Sequence, residues 1–244
     1  MENTCEFVLG EQLQIMTTTD VLDIDLAKTA ILVIDMQNAF IRDGGYFDVI
    51  GIDTQRINSI VPVCKKMIDA ARVMGIKIVF LKMTESPQLP PEACETSPRL
   101  KKRATRLSSA TPRLDKNFYY KESWGHQIID ELQPQPQDII IEKHRHDGFI
   151  DTALHPTLAA HNVNTLLFIG IATNICVEST LRHAFFLDYY AIIVSDAVSP
   201  MGGNMLQAAT LANVQSTFGW VVHSSELISC FHKATNRRKP APSP

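Results

Sequence analysis

No run of apolar residues in this 244-residue sequence approaches the roughly 18 needed to carry a helix across a membrane. The N-terminal stretch MENTCEFVLGEQLQ lacks the basic, then apolar, then small-residue order of a secretory signal, so the expected location is the cytosol. An excess of one charge is also missing. Lys and Arg total 23 against 26 Asp and Glu, a formal net charge of -3. That balance offers no general attraction to nucleic acid or to an anionic membrane surface, and it leaves a small or neutral molecule as the natural partner. Cysteine is sparse and scattered: Cys5, Cys64, Cys94, Cys176 and Cys230 form no C-x-x-C pair. Neither a disulfide framework nor a zinc knuckle fits, so each cysteine is expected to stand singly. The glycine-rich dinucleotide fingerprint, the P-loop, G-x-S-x-G and H-E-x-x-H are absent as well. Dinucleotide, nucleoside triphosphate and serine hydrolase readings lose their support.

What the sequence does contain is a rhythm. Continuous β-branched runs recur at TAILVID (29 to 35), IKIVFLK (76 to 82), DIIIEK (138 to 143), NTLLFIG (164 to 170), AIIVSD (191 to 196) and GWVVH (219 to 223). Unbroken apolar runs of this length read as strands buried on both faces. Between the first two, Ile57, Ile60, Val61, Cys64, Met67, Ile68 and Ala71 have the spacing of one helix face, ended by Gly75. Helical patterns follow at Ala153 to Ala160, Val177 to Leu187 and Met205 to Val214. Alternating strands and helices predict a three-layer α/β/α sandwich around a parallel sheet of about six strands, with one domain at 26–232. Residues 1–25 read as an N-terminal extension, and 233–244, ending NRRKPAPSP, as a disordered tail. The polar stretch 83–125 interrupts the rhythm. It holds five prolines and the cations Lys101, Lys102, Arg103 and Arg106, and it reads as a lid over the strand ends.

Ligands of parallel α/β sheets sit beyond the carboxyl ends of the strands. Asp35 closes the first run, Lys143 closes the third, and Cys176 follows the fourth, where a helix begins. Singly, a strand-end aspartate is as readily a helix cap, a lysine a solvated surface group and a cysteine buried filler. Together they bring an acid, a base and a thiol to one sheet edge. Thr173 or Asn174 can cap the helix at Cys176, and a helix start beside an ammonium lowers a thiol pKa from about 8.5 toward roughly 3.5 to 7.5. An aspartate there could take the thiol proton and return it to a leaving amine. His144 and His146, two apart, make a metal site conceivable, but no third ligand is visible.

The strand ILVIDMQNAF, the lysine of IIIEKHRHDGF, and GIATNICVESTLRHAFFLDYYAIIVSDA resemble the isochorismatase-like cysteine hydrolases, and the likeness runs from about Ala30 to about Phe231. Within that superfamily, DMQNAF, GGYFD, ESWGHQIIDELQPQPQDIII, GIATNICVESTLR and STFGW are similar to the ureidoacrylate-hydrolysing branch. The resemblance implies a Cys176 nucleophile, Asp35 as general base and then acid, and Lys143 stabilising the charge of both. It implies a cis peptide between Ile171 and Ala172, with the Ala172 and Cys176 N–H groups forming an oxyanion hole. A ureido or carbamoyl compound would be cleaved through a Cys-bound carbamoyl intermediate without a cofactor, and the assembly would be a homo-oligomer. The segment HRHDGF departs from the branch, which has a tyrosine where this chain has His146. Asn38, Phe40, Tyr46, Trp124, Arg145 and His146 are the candidates for holding substrate, the aromatics as walls and the others as polar partners of a carboxylate.

Three alternatives stay open: a related amidase acting on biuret, triuret, carbamoylsarcosine or another small amide; a binding or scaffold protein without chemistry; and a protease-like pairing of Cys176 with His144 or His146. Nicotinamidases of the superfamily carry an Asp-x-His metal motif after the second strand, where this chain reads KMTESPQ. Amide cleavage is therefore expected to survive prolonged chelation in full. Loss on chelation with recovery on adding zinc or manganese would show that a metal is required.

Overall fold

The computed structural model describes residues 7–8, 12–85, 98, 101–102 and 118–238. It opens with an antiparallel sheet of β1 (Phe7–Val8), β2 (Gln12–Met16) and β3 (Val21–Asp25), in that order. The stretch expected to be an extension outside the domain is thus folded onto it. Leu13, Ile15, Leu22 and Ile24 alternate with exposed or half-buried positions and join the common core.

All six apolar runs become strands of one parallel sheet: β4 (Thr29–Ile34), β5 (Lys77–Met83), β6 (Ile139–Lys143), β7 (Thr165–Ile171), β8 (Tyr190–Ser199) and β9 (Trp220–Val222). Their order is β6-β5-β4-β7-β8-β9. Every residue of β4 and β7 is buried, because these central strands are covered on both faces.

The helices among the described residues are α1 (Asn38–Ile41), α2 (Tyr46–Val49), α3 (Thr54–Asn58), α4 (Val61–Met74), α5 (Leu154–Ala160), α6 (Glu178–Phe186), α7 (Asn204–Asn213) and α8 (Ser224–Arg238). The single helix expected around Ile57 to Ala71 is divided in two. Pro62 stands in the first turn of α4, and its ring would clash with the Asn58 carbonyl if the helix ran on toward the N-terminus. At the other end Gly75 takes a φ of 76° and its N–H closes on the Ala71 and Arg72 carbonyls. Helices α4 and α8 pack together on one face of the sheet, and right-handed crossovers place α5, α6 and α7 on the other. None of the described helices is long and apolar enough to cross a membrane.

Two expectations are corrected here. The tail predicted as disordered from residue 233 is helical to Arg238, because Leu227, Cys230, Phe231 and Ala234 form a buried stripe at helical spacing. Asp196 holds the start of that helix, accepting from the Ser224 N–H at 2.8 Å and its hydroxyl at 2.6 Å. Cys230 is disulfide-bonded, with a partner outside the described residues, whereas Cys64 and Cys176 are free thiols.

The chain moves outward from β4 to β5 and β6, then returns to place β7 on the other side of β4. The crevice between β4 and β7 is the topological switch point of the sheet, where open parallel sheets hold ligands. Close strand contact at this edge depends on Gly170, which pairs with Ile34 at a φ of 108°. A Cβ there would lie 2.2 Å from the Ile34 carbonyl oxygen. Gly170→Ala is expected to destabilise the fold by about 3 kcal/mol or more, read as a fall in the denaturant midpoint. A midpoint that does not move would show that the two strand ends separate without penalty.

Candidate active site

Asp35, Lys143 and Cys176 come together at the switch point from three different strand ends. Asp35 follows β4 in a left-handed conformation, φ 53°, which aspartate tolerates better than β-branched residues do. Its Oδ1 accepts the Met83 N–H at 3.0 Å, and its Oδ2 accepts the Lys143 ammonium at 2.8 Å. Lys143 is fully buried, and its stem passes over the end of β5 to reach Asp35 from β6, two strands away. The ammonium also donates to the Arg145 carbonyl at 3.3 Å. Cys176 sits in a π-helical turn, Thr173–Val177, that follows β7 and leads into α6. The peptide between Ile171 and Ala172 is cis.

The neighbours of Asp35 are themselves fixed. Gln37 is wholly buried, accepts the Met83 N–H at 2.8 Å and donates to the Met83 and His126 carbonyls at 3.0 and 3.1 Å. His126 Nε2 lies 2.8 Å from the Thr84 hydroxyl, and burial, then Lys82, pushes its pKa down to about 4. It is therefore neutral at neutral pH. The proposed helix caps do not form: the Asn174 side chain is spent on the Met201 backbone, and the Thr173 hydroxyl has no partner.

The ionisation of Cys176 runs opposite to the expectation of a lowered thiol pKa. Burial pushes the thiol up most strongly, Lys143 pulls it down, and the Asp35 carboxylate pushes it up again. The helix start does not outweigh removing a thiolate from water beside an existing anion. For Lys143, burial is again the largest influence and acts downward, but Asp35 and then Cys176 carry the net direction upward. The resting site is a neutral thiol beside an ammonium and carboxylate pair.

Over these groups lies a cavity of about 530 Å³ lined by Asp35, Cys176, His146, Ile171, Ala172 and Ile175 on the sheet side. Phe40, Tyr46, Phe47, Met83, Tyr119, Met201, Pro98 and Lys102 complete it. Of the expected substrate contacts, Phe40, Tyr46 and His146 reach this space. The other three do not line it. The Asn38 amide donates to the Trp124 carbonyl at 3.0 Å and so holds a loop. Trp124 is 52% exposed, and Arg145 pairs with Asp151 at 3.6 Å. His144 turns to the Thr84 carbonyl at 3.0 Å, away from His146. Most of the stretch expected as a lid, including Arg103 and Arg106, lies outside the described residues, but Lys102 from it lines the cavity.

Tyr119, Phe47, Met201 and Ile175 were not anticipated. Phe40 and Tyr46 meet Tyr119 at ring-centroid distances of 5.2 and 5.9 Å, so the aromatic wall joins segments about 70 to 80 residues apart. No local spacing signals such a contact. His146 also does more than line the space, because its Nδ1 lies 3.4 Å from the Cys176 sulfur.

A family model described as the isochorismatase domain matches residues 29–226. Ureidoacrylate amidohydrolase RutB of Acinetobacter baylyi is 37% identical over 215 residues, covering 88% of this chain and 88% of that protein. Its counterpart in Yersinia enterocolitica is 39% identical over 205 residues, covering 84% and 89%. Among solved structures, N-carbamoylsarcosine amidase from Thermoplasma acidophilum superposes with a TM-score of 0.62 at 28% identity, over 82% of this chain and 98% of that one. A cysteine hydrolase from Pseudomonas syringae pv. phaseolicola shares the fold with a TM-score of 0.73 at 24% identity, over 86% and 95%. With a family model matching most of its length and relatives above 35% identity across more than four-fifths of both chains, the protein belongs to the isochorismatase family.

Proposed function

We propose that this protein hydrolyses a carbamoyl C–N bond in a small ureido compound, with ureidoacrylate as substrate, using Cys176 as nucleophile, Asp35 as proton carrier and Lys143 as charge stabiliser. The observation that carries the reading is the convergence of these three buried side chains at the sheet's switch point, where Asp35 and Cys176 line one cavity and Lys143 pairs with Asp35 behind it. The named activity of the RutB relatives supports ureidoacrylate as the compound.

The resting thiol is neutral, so its proton must leave as the bond forms. Asp35 takes that proton while the sulfur attacks the ureido carbon, and the Lys143 ammonium balances the charge as it moves from carboxylate to sulfur. The developing oxyanion falls to the Ala172 and Cys176 N–H groups. Asp35 then gives its proton to the leaving nitrogen, and aminoacrylate departs from a carbamoyl group held on Cys176. Water releases that group as carbamate. Neither metal nor cofactor enters this scheme. The carboxylate of ureidoacrylate requires a cation that is not already engaged by Asp35, and Lys102 on the cavity wall supplies it. The exposed Phe186, beside Phe185 and Phe218, supports assembly into a homo-oligomer. A cytoplasmic location is part of the same reading.

Ammonia release should be faster with ureidoacrylate than with biuret, triuret or N-carbamoylsarcosine, and equal or faster release from biuret would overturn the assignment of substrate. Lys102→Gln should raise KM for ureidoacrylate by tenfold or more, about 1.4 kcal/mol, and leave neutral biuret nearly unaffected. The proton route makes a further prediction with opposed signs. Asp35→Asn should lower kcat by about a thousandfold, yet shift the alkylation of Cys176 by iodoacetamide to lower pH. The carboxylate that holds the thiol up is removed, and the ammonium that pulls it down stays. An alkylation profile that does not move would show that burial alone sets the thiol and that Asp35 is not its proton acceptor.

A further inference from the structure

The three buried groups Asp35, Lys143 and Cys176 suffice for attack and for expulsion of the amine in the proposed reaction. They do not say how water reaches the acylated sulfur. Asp35 is 3% exposed and Lys143 is fully buried, and both Asp35 oxygens already accept hydrogen bonds. His146 stands differently. It is exposed, it lines the cavity, and its Nδ1 lies 3.4 Å from the Cys176 sulfur. It therefore reaches the sulfur as an exposed residue of the cavity wall, whereas Asp35 lines the same cavity as a buried residue and Lys143 does not line it.

The position of His146 is built into the fold. The turn that carries it is tied to the nucleophile turn by a chain of two hydrogen bonds: the Gly148 N–H donates to the Thr180 hydroxyl at 2.9 Å, and that hydroxyl donates to the Cys176 carbonyl at 2.6 Å. Gly148 is pressed against the sheet, where a Cβ would come within 2.6 Å of a Leu81 methyl. On either side of His146 the charged neighbours have other partners, Arg145 with Asp151 and Asp147 with His183 at 2.6 Å. Lys102 and Asp35 share the cavity wall with His146, and Lys143 pairs with Asp35.

We propose that His146 is the general base of the second half-reaction, which releases the carbamoyl group from Cys176, whereas Asp35 serves the first half. The inference rests on the covalent mechanism proposed above. Water adds through its oxygen to the carbamoyl carbon as one of its protons passes to His146 Nδ1. The carbon–sulfur bond then breaks, its electron pair goes to sulfur, and carbamic acid leaves. The imidazolium returns the proton across the 3.4 Å separation to the sulfur, which restores the neutral thiol and the neutral imidazole. The resting contact between Nδ1 and the sulfur spans the distance that this transfer crosses. A base that relays a proton from water to the departing sulfur must be open to water and within reach of the sulfur, and His146 meets both conditions.

The test separates the two half-reactions. His146→Gln and His146→Ala are mixed with ureidoacrylate, and substrate consumption is followed together with the intact mass of the protein. Each variant should consume about one equivalent of substrate in a fast phase, accumulate a single carbamoyl adduct on Cys176, and then turn over about a hundredfold more slowly than wild type. Hydroxylamine, a nucleophile stronger than water, should discharge the adduct and restore most of the turnover. The fast phase itself reports that the variants are folded and that Asp35 is competent. Variants that slow both phases equally, or that turn over at the wild-type rate without an adduct, overturn the role of His146 alone. Wild-type protein that does not consume ureidoacrylate overturns the substrate reading, and this inference with it.

Discussion

The site depends on one interaction, the buried pair of Lys143 and Asp35. An ammonium taken wholly out of water costs several kcal/mol, and the cost is offset only by a well-placed opposite charge and further hydrogen bonds. Both are supplied by backbone that the sheet itself aligns. Lys143 leaves β6, crosses the end of β5 and meets Asp35 beyond β4, with the Arg145 carbonyl as its second acceptor. Asp35 in turn receives the Met83 N–H from β5. Three adjacent strand ends are thereby joined through a single carboxylate. Such a pair stabilises little against an apolar substitute, but it fixes one arrangement, and breaking it would leave a buried charge without compensation.

The pair also explains why the thiol is not pre-ionised. Lys143 and Asp35 already balance, so a thiolate would leave a net negative charge buried beneath an apolar aromatic cavity. In the proposed reaction the ammonium becomes available to sulfur only when Asp35 is neutralised, by the proton that the thiol gives up. On that reading deprotonation and attack are coupled by charge balance. The sequence suggested a helix-activated thiolate because a helix start and a lysine both lower a thiol pKa. It could not show that the thiol is buried and that the lysine is already engaged by the carboxylate.

Much of this was legible in the order of residues. Continuous runs of Ile, Val and Leu can satisfy their packing only between two helical layers, so six strands and their parallel sense followed from pattern alone. Asp35, Lys143 and Cys176 were picked out because ligands of such sheets collect at strand ends, and the structure brings the three together. The illegible parts have physical reasons of their own. The N-terminal hairpin alternates correctly at Leu13, Ile15, Leu22 and Ile24, but short antiparallel strands reveal themselves only through a partner surface, here α8. Basic and proline-containing character at 236–240 masked the last turns of α8, whose buried apolar stripe is Leu227, Cys230, Phe231 and Ala234. Asn38 and Trp124 were misread because a polar or aromatic side chain near a site is equally suited to bracing it. The Asn38 amide binds the backbone of Trp124, leaving the indole outside.

That bracing bears on how the site keeps its shape when charge moves. The Met83 N–H is shared between Asp35 Oδ1 and the Gln37 amide oxygen, and Gln37 is anchored to the His126 carbonyl. His126 contacts the Thr84 hydroxyl one residue beyond Met83, so the end of β5 is gripped from the loop side. Because burial, then Lys82, keeps His126 neutral at neutral pH, this grip adds no second cation that would compete with Lys143 for the carboxylate. When Asp35 accepts a proton its attraction for Lys143 falls, and a site held by the ion pair alone would open at that moment. The neutral hydrogen bonds from Gln37 and His126 do not change with the protonation of Asp35. In the proposed reaction they would keep Met83, and with it the carboxyl group, in place while the charge resides on sulfur.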